Sequence, residues 1–193
     1  TLPTSQTGVG LSDFLNQQVL DRQPAALRDF ILRTSMLGEF DAGLCQMVLS
    51  PLYEEPQNWQ GLISAVVQNN LFVLPVGADG RWLRYHHLFR DFLRKKFEAT
   101  HPDEVRPILA RLGHAYEDMA EWEKAHYIYK QLNDNQVLVA MIERASKDMI
   151  VHMKVTLESW LNDLPPSMLR SHPELLSIRG VIASSRGNMH EGL

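Results

Sequence analysis

The chain has 193 residues, of which 45% are hydrophobic and 22% are charged, and its 19 basic and 23 acidic residues give a formal net charge of −4. This composition suits one or two folded domains and argues against both a disordered chain and a strongly basic nucleic-acid binder. The single cysteine, Cys45, excludes an internal disulfide framework and a multi-cysteine zinc module, and no apolar run approaches the roughly 20 residues of a membrane helix.

Residues 1–10 have the Thr, Ser and Gly content of a linker and lack the basic and apolar regions of a signal peptide. Apolar residues at helical spacing then predict four helices, at about 11–20, 24–34, 41–49 and 59–70. Pro24 suits the first turn of the second helix, and the Asp41 carboxylate can cap the third. Because the chain lacks an initiator Met, we expect a fragment of a longer protein, and the lone cysteine suits a cytoplasmic one.

The periodicity changes between residues 71 and 85. Residues 71–76 form a short β-type run, residues 77–80 have the composition of a turn, and residues 82–85 can return as a second strand. Helical spacing resumes at His87. Three helices, a hairpin and a further helix follow the order of a winged helix-turn-helix, which we place at residues 11–100.

Residues 101–193 predict helices only, at about 104–119, 121–132, 135–147, 150–162 and 173–186. One stretch fits the tetratricopeptide pattern at five positions, which are Leu112, Gly113, Tyr116, Ala125 and Tyr129. Gly180 lies 67 residues (180 − 113) after Gly113, about two repeats away, so we expect divergent repeats of which the last is truncated. The chain is therefore predicted to be mainly α, a winged helix followed by a tetratricopeptide-like α-solenoid, with a plain helical bundle as the alternative for this second part.

No residue pattern predicts catalysis by this chain. Cys45 falls on an apolar helix face, the serines lack the G-x-S-x-G turn of a nucleophile, and there is no G-x-x-x-x-G-K-[ST] phosphate loop. The paired acids at 54–55 and 103–104 suit surface and helix-start positions. We expect no catalytic residue and no metal site.

The candidate recognition helix, residues 60–70, contains no Arg or Lys. Contacts between cations and phosphates supply most of the affinity of DNA-binding proteins. The sequence therefore argues against direct DNA binding by the winged helix.

The most unusual segment is Tyr85-His86-His87-Leu88-Phe89. Adjacent histidines cannot face the same way in a strand or a helix, which argues against a two-histidine metal pair. A helix that begins near His86 would offer free N–H groups to a phosphate. Six basic residues lie around it, and they suit either a phosphate-facing patch or a solvated face: Arg81, Arg84, Arg90, Arg94, Lys95 and Lys96.

Several of these segments resemble one known family. Residues 19–24, 30–35 and 70–73 are similar to successive stretches of the large ATP-dependent LuxR-type regulators, the bacterial family typified by the maltose-regulon activator MalT. Residues 84–89 resemble its most recognisable segment, and residues 160–165 resemble its helical region. The resemblance extends over about residues 12–190.

The resemblance implies a signal-transduction ATPase with a nucleotide-binding module, a winged helix, a helical repeat region and a LuxR-type DNA-binding domain. In related switch ATPases a winged-helix histidine contacts the phosphates of ADP, and the resemblance assigns that role to His86. Arg84 is a second candidate phosphate contact, and His87 stands where the related motif has Asp. ATP or ADP is thus the expected cofactor of the full-length protein. The expected partners are its own nucleotide-binding module and an inducer or regulatory protein on the repeats, with no membrane and no direct nucleic acid.

Two other functions fit the sequence. One is a free-standing winged-helix DNA-binding protein with a helical dimerisation tail. The other is a protein-interaction scaffold that uses only its tetratricopeptide-type repeats.

Overall fold

A computed structural model of the chain describes residue 10 and residues 13–187. The predicted linker at 1–10 lies outside the described residues except for its last position, as does the end of the last predicted repeat after residue 187. The chain divides into two compact units, one up to Leu112 and one from Gly113. This division falls within a continuous helix, so the predicted domain limits of 11–100 and 101–193 stay a prediction.

The first unit has the element order of a winged helix. A π-helical turn at Leu15–Leu20 precedes the main elements. These are α1 (Ala25–Thr34), α2 (Ala42–Leu49), α3 (Trp59–Gln68), β1 (Val73–Val76), β2 (Trp82–Tyr85), α4 (His87–Thr100) and α5 (Pro102–Asp118), with a short 3-10 helix at Ser50–Leu52 after α2. The predicted winged helix-turn-helix is confirmed.

Side-chain caps set the start of two of these helices. The Asp41 carboxylate accepts a hydrogen bond of 2.8 Å from the backbone N–H of Leu44, which confirms the predicted cap of α2. The Asn58 side chain accepts one of 2.9 Å from the N–H of Gly61 at the start of α3. Pro24 lies at the N-cap of α1, one residue before the first turn in which it was expected. Each cap satisfies a backbone N–H that the helix itself leaves without a partner.

The wing is an antiparallel hairpin in which Val73 pairs with Tyr85 and Val76 with Trp82. Its first strand begins at Val73, two residues after the predicted start at Leu71. The reason is Phe72, whose left-handed backbone (φ 52°) is incompatible with a β-strand. Phe40 extends the sheet by one bridge. Its N–H donates to the Leu83 carbonyl at 2.8 Å, and the Leu83 N–H donates back at 2.9 Å.

An aromatic cluster forms the centre of the first unit and joins the wing to the helices. Phe40 lies between Phe30, at 6.2 Å between ring centroids, and Tyr85, at 5.1 Å. Tyr85 in turn meets Phe89 of α4 at 5.8 Å, edge to face. The buried Tyr85 hydroxyl lies 2.8 Å from Thr34 Oγ1, so its polar atom has a hydrogen-bond partner. The core therefore holds Tyr85, directly before position 86, and Phe89, three residues after it.

The second unit is helical throughout the described residues. Its helices after α5 are α6 (Trp122–Gln131), α7 (Asn135–His152), α8 (Lys154–Asp163), α9 (Pro166–Ser171) and α10 (Pro173–Gly187). The predicted end of a helix at 147 is wrong, because α7 continues to His152 and closes with a hydrogen bond from the Met153 N–H to the Met149 carbonyl. α9 was not predicted. Pro165 and Pro166 start it, since proline suits the first helical position as well as a helix end.

Gly113 and Tyr129, two of the positions that fit the tetratricopeptide pattern, lie in contact in the second unit. A Cβ atom at Gly113 would lie 2.4 Å from the Tyr129 ring, so only glycine allows the two helices to approach this closely. The predicted equivalent, Gly180, differs. A Cβ atom there would meet no other described atom within 4 Å, and the second helix of this repeat, which we expect to be truncated, is not among the described residues.

The Tyr129 hydroxyl also belongs to a polar network at the same interface. It donates to Glu117 Oε1 at 2.5 Å, and Arg144 donates to both Glu117 oxygens at 2.6 and 3.0 Å. Burial alone would raise the pKa of Glu117, but the hydrogen bonds from Arg144 and Tyr129 lower it below its ordinary value. This carboxylate therefore connects α5, α6 and α7.

None of the helices in the described part of the chain is long and apolar enough to span a membrane.

Candidate functional site

His86 occupies the junction between β2 and α4. Its backbone N–H donates to the Phe72 carbonyl at 2.7 Å, and its own carbonyl accepts from the Arg90 N–H at 2.9 Å. The side chain makes no capping hydrogen bond and is exposed. The backbone of His86 is thus fixed on both sides while its imidazole faces outward.

The N-terminus of α4 adds an electrostatic preference to this position. The helix has 14 residues, and its first turn contains no acidic side chain. Its first N–H groups have no partner within the helix and carry the positive end of the helix dipole. An anion next to His86 would therefore meet both the imidazole and backbone donors.

His86 and His87 lie together rather than on opposite sides. Their ring centroids are 4.4 Å apart, with 35° between the ring planes. The expectation that the two side chains face different ways is therefore wrong. It assumed that both residues belong to one strand or one helix, whereas His86 has an extended backbone (ψ 136°) just before the helix begins. No third metal-ligating side chain joins the two rings in the part of the chain that the structure describes.

The predicted basic patch is partly neutralised by neighbouring groups. Arg81 pairs with Asp79 at 2.6 Å, and this hydrogen bond holds the pKa of Asp79 below its ordinary value. Arg94 lies 3.8 Å from Glu98, and Lys96 donates to Asn16. These contacts favour a solvated face for most of the patch.

Arg84 is the exposed cation of the patch nearest to His86 in the sequence. It lies on β2, in register with Leu74, and its neighbours Leu83 and Tyr85 point into the core. Because side chains alternate along a strand, Arg84 faces away from that core. It belongs to the same surface strand that leads into His86.

An exposed apolar cleft of about 370 Å³ borders His86. Its lining residues are Phe14, Leu15, Phe72, His86, Leu88 and Phe89. Phe14 is 55% exposed, Phe72 46% and Leu88 52%, although each is a large apolar side chain. Sequence reasoning missed this cleft, because Phe72 was assigned to a strand and Phe14 to a helix core. A group of exposed apolar side chains next to a polar one is typical of an interaction surface.

The recognition helix α3 presents a neutral surface. Its exposed side chains include Gln60, Gln68 and Val67, the last 47% exposed. The helix itself contains no Arg or Lys. The helix itself thus supplies no cation for phosphate contacts, and Arg81 of the wing, which borders the same face of α3, is paired with Asp79.

Cys45 is buried at the inner side of α2. Burial raises the pKa of its thiol well above the ordinary value, with a smaller contribution from Asp41. The thiolate is the reactive form of cysteine, so this residue is a poor nucleophile.

Comparison with known proteins finds a match to most of the first unit. The family model of the MalT winged helix domain matches residues 16–105. Residues 16–105 are therefore similar to a MalT winged helix domain. The match includes Arg84, His86 and the cleft residues Phe72, Leu88 and Phe89.

Curated relatives extend the similarity beyond this winged helix. The chain is 25% identical over 177 residues, 91% of its length, to the HTH-type transcriptional regulator MalT of Vibrio parahaemolyticus. It is 27% identical over 184 residues, 94% of its length, to MalT of Klebsiella pneumoniae strain 342. The chain spans only 19% of the first relative and 20% of the second. It is therefore a MalT-like chain that corresponds to about a fifth of these bacterial transcriptional regulators.

Proposed function

We propose that this chain is the central regulatory part of a MalT-like, ATP-dependent transcriptional regulator. The winged helix contacts the nucleotide-binding module through His86, and the helical unit that follows receives an inducer or a partner protein. The fixed backbone and outward imidazole of His86, at the N-terminus of α4, carry this proposal.

The chemistry of position 86 suits a diphosphate. The free N–H groups of α4 favour an anion, and the imidazole adds a donor that is not used within the domain. Arg84 adds a permanent charge on the adjacent strand. We assign His86 the main ADP phosphate contact and Arg84 a secondary one.

The apolar cleft beside His86 supports the same assignment. Phe14, Phe72 and Leu88 expose apolar surface next to the polar group, as expected where a second protein module covers the cleft. We infer that the nucleotide-binding module docks here when ADP is bound. Its release on exchange for ATP would open the regulator, and an inducer would shift this balance through the helical unit.

DNA recognition is assigned to another part of the regulator. The neutral surface of α3 supports this division, since it offers no cation for phosphates. A helix-turn-helix outside this chain would then read the DNA, in agreement with the names of the relatives.

The test is the His86→Ala substitution in the full-length regulator. We expect weaker retention of ADP through gel filtration and higher basal transcription from a reporter promoter. His87→Ala is the matched control, because it removes the neighbouring ring and leaves His86 in place. Unchanged ADP retention and unchanged inducer dependence in the His86→Ala variant would overturn the proposal.

A gel-shift titration with the 193-residue chain tests the alternative function, a free-standing DNA-binding protein. We expect no complex at micromolar protein. A salt-sensitive complex at that concentration would favour the alternative function instead.

A further inference from the structure

Three side chains with metal-ligating atoms meet in the second unit, and none of them belongs to the site described above. Glu143 lies on α7, His172 lies between α9 and α10, and Glu174 lies in the first turn of α10. One ligand atom from each residue lies within 4.8 Å of the other two. His172 Nδ1 is 4.0 Å from Glu143 Oε1, which is too long for a hydrogen bond. The donors therefore converge without binding one another.

The donor set indicates the class of ion. One imidazole nitrogen and two carboxylate oxygens suit Zn²⁺, whereas Mg²⁺ and Ca²⁺ prefer oxygen ligands only. Zinc binds nitrogen and oxygen at about 2.0–2.2 Å, so the ligand atoms of a tetrahedral site lie about 3.4 Å apart. His172 Nδ1 and Glu143 Oε1 lie 4.0 Å apart, about 0.6 Å more than this, and no pair of ligand atoms is more than 4.8 Å apart, so rotation of these accessible side chains can close the difference.

The helices hold these donors on stiff backbone. Glu143 lies near the middle of α7, which has 18 residues. Pro173 separates His172 from Glu174, and its ring restricts the backbone between the two ligands. Binding would therefore require side-chain rotation rather than refolding, which lowers the entropic cost of forming the site.

The surrounding charges leave the Glu143 carboxylate available. Its neighbour Arg144 donates two hydrogen bonds to Glu117, at 2.6 and 3.0 Å, so its guanidinium already has a carboxylate partner. Glu143 and Glu174 border an open groove of about 500 Å³, to which Arg144 and Lys147 also contribute.

We propose that Glu143, His172 and Glu174 form a binding site for a divalent transition-metal ion of the Zn²⁺ class, which joins α7 to the start of α10. The site is independent of the function proposed for His86. A bound ion would restrain α10 against α7 and so make the shape of the helical unit depend on metal.

The test is a zinc titration of the chelator-treated 193-residue chain, monitored by competition with a chromogenic zinc indicator. We expect one equivalent of Zn²⁺ per chain with a Kd of about 10 µM or tighter. The same titration with Mg²⁺ or Ca²⁺ should show at least a hundredfold weaker binding. His172→Ala and Glu143→Gln should each weaken zinc binding at least about tenfold.

The double variant His86→Ala/His87→Ala is the matched control, because it removes the other pair of neighbouring imidazoles. It should bind zinc as the parent chain does. Circular dichroism checks that each variant is folded, and Glu174→Gln, at an exposed position, tests the site if another variant fails to fold. Zinc binding that is absent, or that is as tight in His172→Ala and Glu174→Gln as in the parent chain, would overturn the proposal.

Discussion

Arg33 of α1 and Glu104 of α5 form a two-pronged ion pair across the first unit, with Nε and a terminal nitrogen 2.8 and 2.9 Å from the two carboxylate oxygens. Arg33 is buried, lies over the Tyr53 ring at 4.9 Å and also pairs with Asp29. The pair therefore connects the first helix of the winged helix to the helix that leaves it. A planar guanidinium is suited to such a geometry, because it meets both oxygens at once.

Removing the charge of Glu104 should destabilise the chain. Glu104→Gln leaves Arg33 buried with only Asp29 as an acidic partner, and we expect a loss of about 1–3 kcal/mol in the free energy of unfolding. Urea denaturation measures it. Asp103→Asn, at the exposed neighbouring position of the same helix turn, should change the free energy by less than about 0.5 kcal/mol. Equal losses in the two variants would show that the ion pair contributes little.

Glycine should be required at Gly113 and not at Gly180. Gly113→Ala places a methyl group against the Tyr129 ring at 2.4 Å, so the helices must separate. We expect a loss of about 1–3 kcal/mol. Gly180→Ala meets no described atom within 4 Å and should leave stability unchanged or raise it by up to about 1 kcal/mol, since alanine favours a helix. Thermal unfolding of the two variants gives the comparison, and a stable Gly113→Ala chain would contradict the close contact.

Acid should weaken the chain partly through Glu104 and Glu117. Hydrogen bonds from Arg33 and from Arg144 lower the pKa of these two carboxyls in the folded state. Their contribution to stability is complete above the pKa of an unfolded glutamate, about 4.3, and is lost as the pH falls through the lower folded value. Unfolding free energies measured between pH 3 and 6 should therefore fall toward acid. The slope below about pH 4.3 should be smaller in Glu117→Gln, and an unchanged slope would exclude this contribution.

His126 adds a second acid-sensitive element in the second unit. Its ring stacks on Trp160 at 4.3 Å, with 4° between the planes, and burial, together with Lys130, lowers its pKa to about 4. The folded state therefore favours the neutral ring. The contribution of His126 to stability is complete above the unfolded pKa of about 6.5 and falls as the pH drops toward 4, by up to about 3 kcal/mol. NMR titration of the His126 ring measures the pKa directly, and a midpoint near 6.5 would contradict the burial argument.

Local signals in the sequence were sufficient for much of the winged helix. The Asp41 cap depends on a hydrogen bond three residues along the chain, and the wing on the turn residues Gly77 and Gly80, so both could be predicted. The bridge between Phe40 and Leu83 could not, because one residue carries no strand periodicity. The ion pair between Arg33 and Glu104 could not be predicted either, because the two residues are 71 positions apart and no local sequence pattern relates them.

The candidate site also combines features that local sequence predicts with features that only the tertiary fold creates. The strand-to-helix junction at His86 is a local feature and was predicted from the change of period. The cleft beside it requires Phe14, from the start of the chain, to meet Phe72 and Leu88, and only the tertiary fold brings them together. Phe72 also has a left-handed backbone, which no composition rule assigns to phenylalanine.

A charge in this cleft should separate the winged helix from the nucleotide-binding module that we propose to cover it. Leu88 is 52% exposed, so Leu88→Asp should leave the isolated chain as stable as before within about 0.5 kcal/mol. In the full-length regulator a buried aspartate would oppose docking, because desolvation of a carboxylate is costly. We expect faster ADP release and higher basal transcription, both measured as for His86→Ala.

Val67→Asp is the matched control for Leu88→Asp. Val67 is 47% exposed on α3 and does not line the cleft, so the same charge there should leave ADP release unchanged. If both variants release ADP faster, the effect follows from general destabilisation. If neither does, the cleft is not covered by the nucleotide-binding module, and its exposed apolar side chains serve another partner. Because an aspartate at position 88 also repels a phosphate beside His86, Leu88→Lys is tested in parallel. Faster ADP release in both Leu88 variants and not in Val67→Asp, with the isolated chain still stable, requires that the surface beside His86 be buried in the ADP-bound regulator.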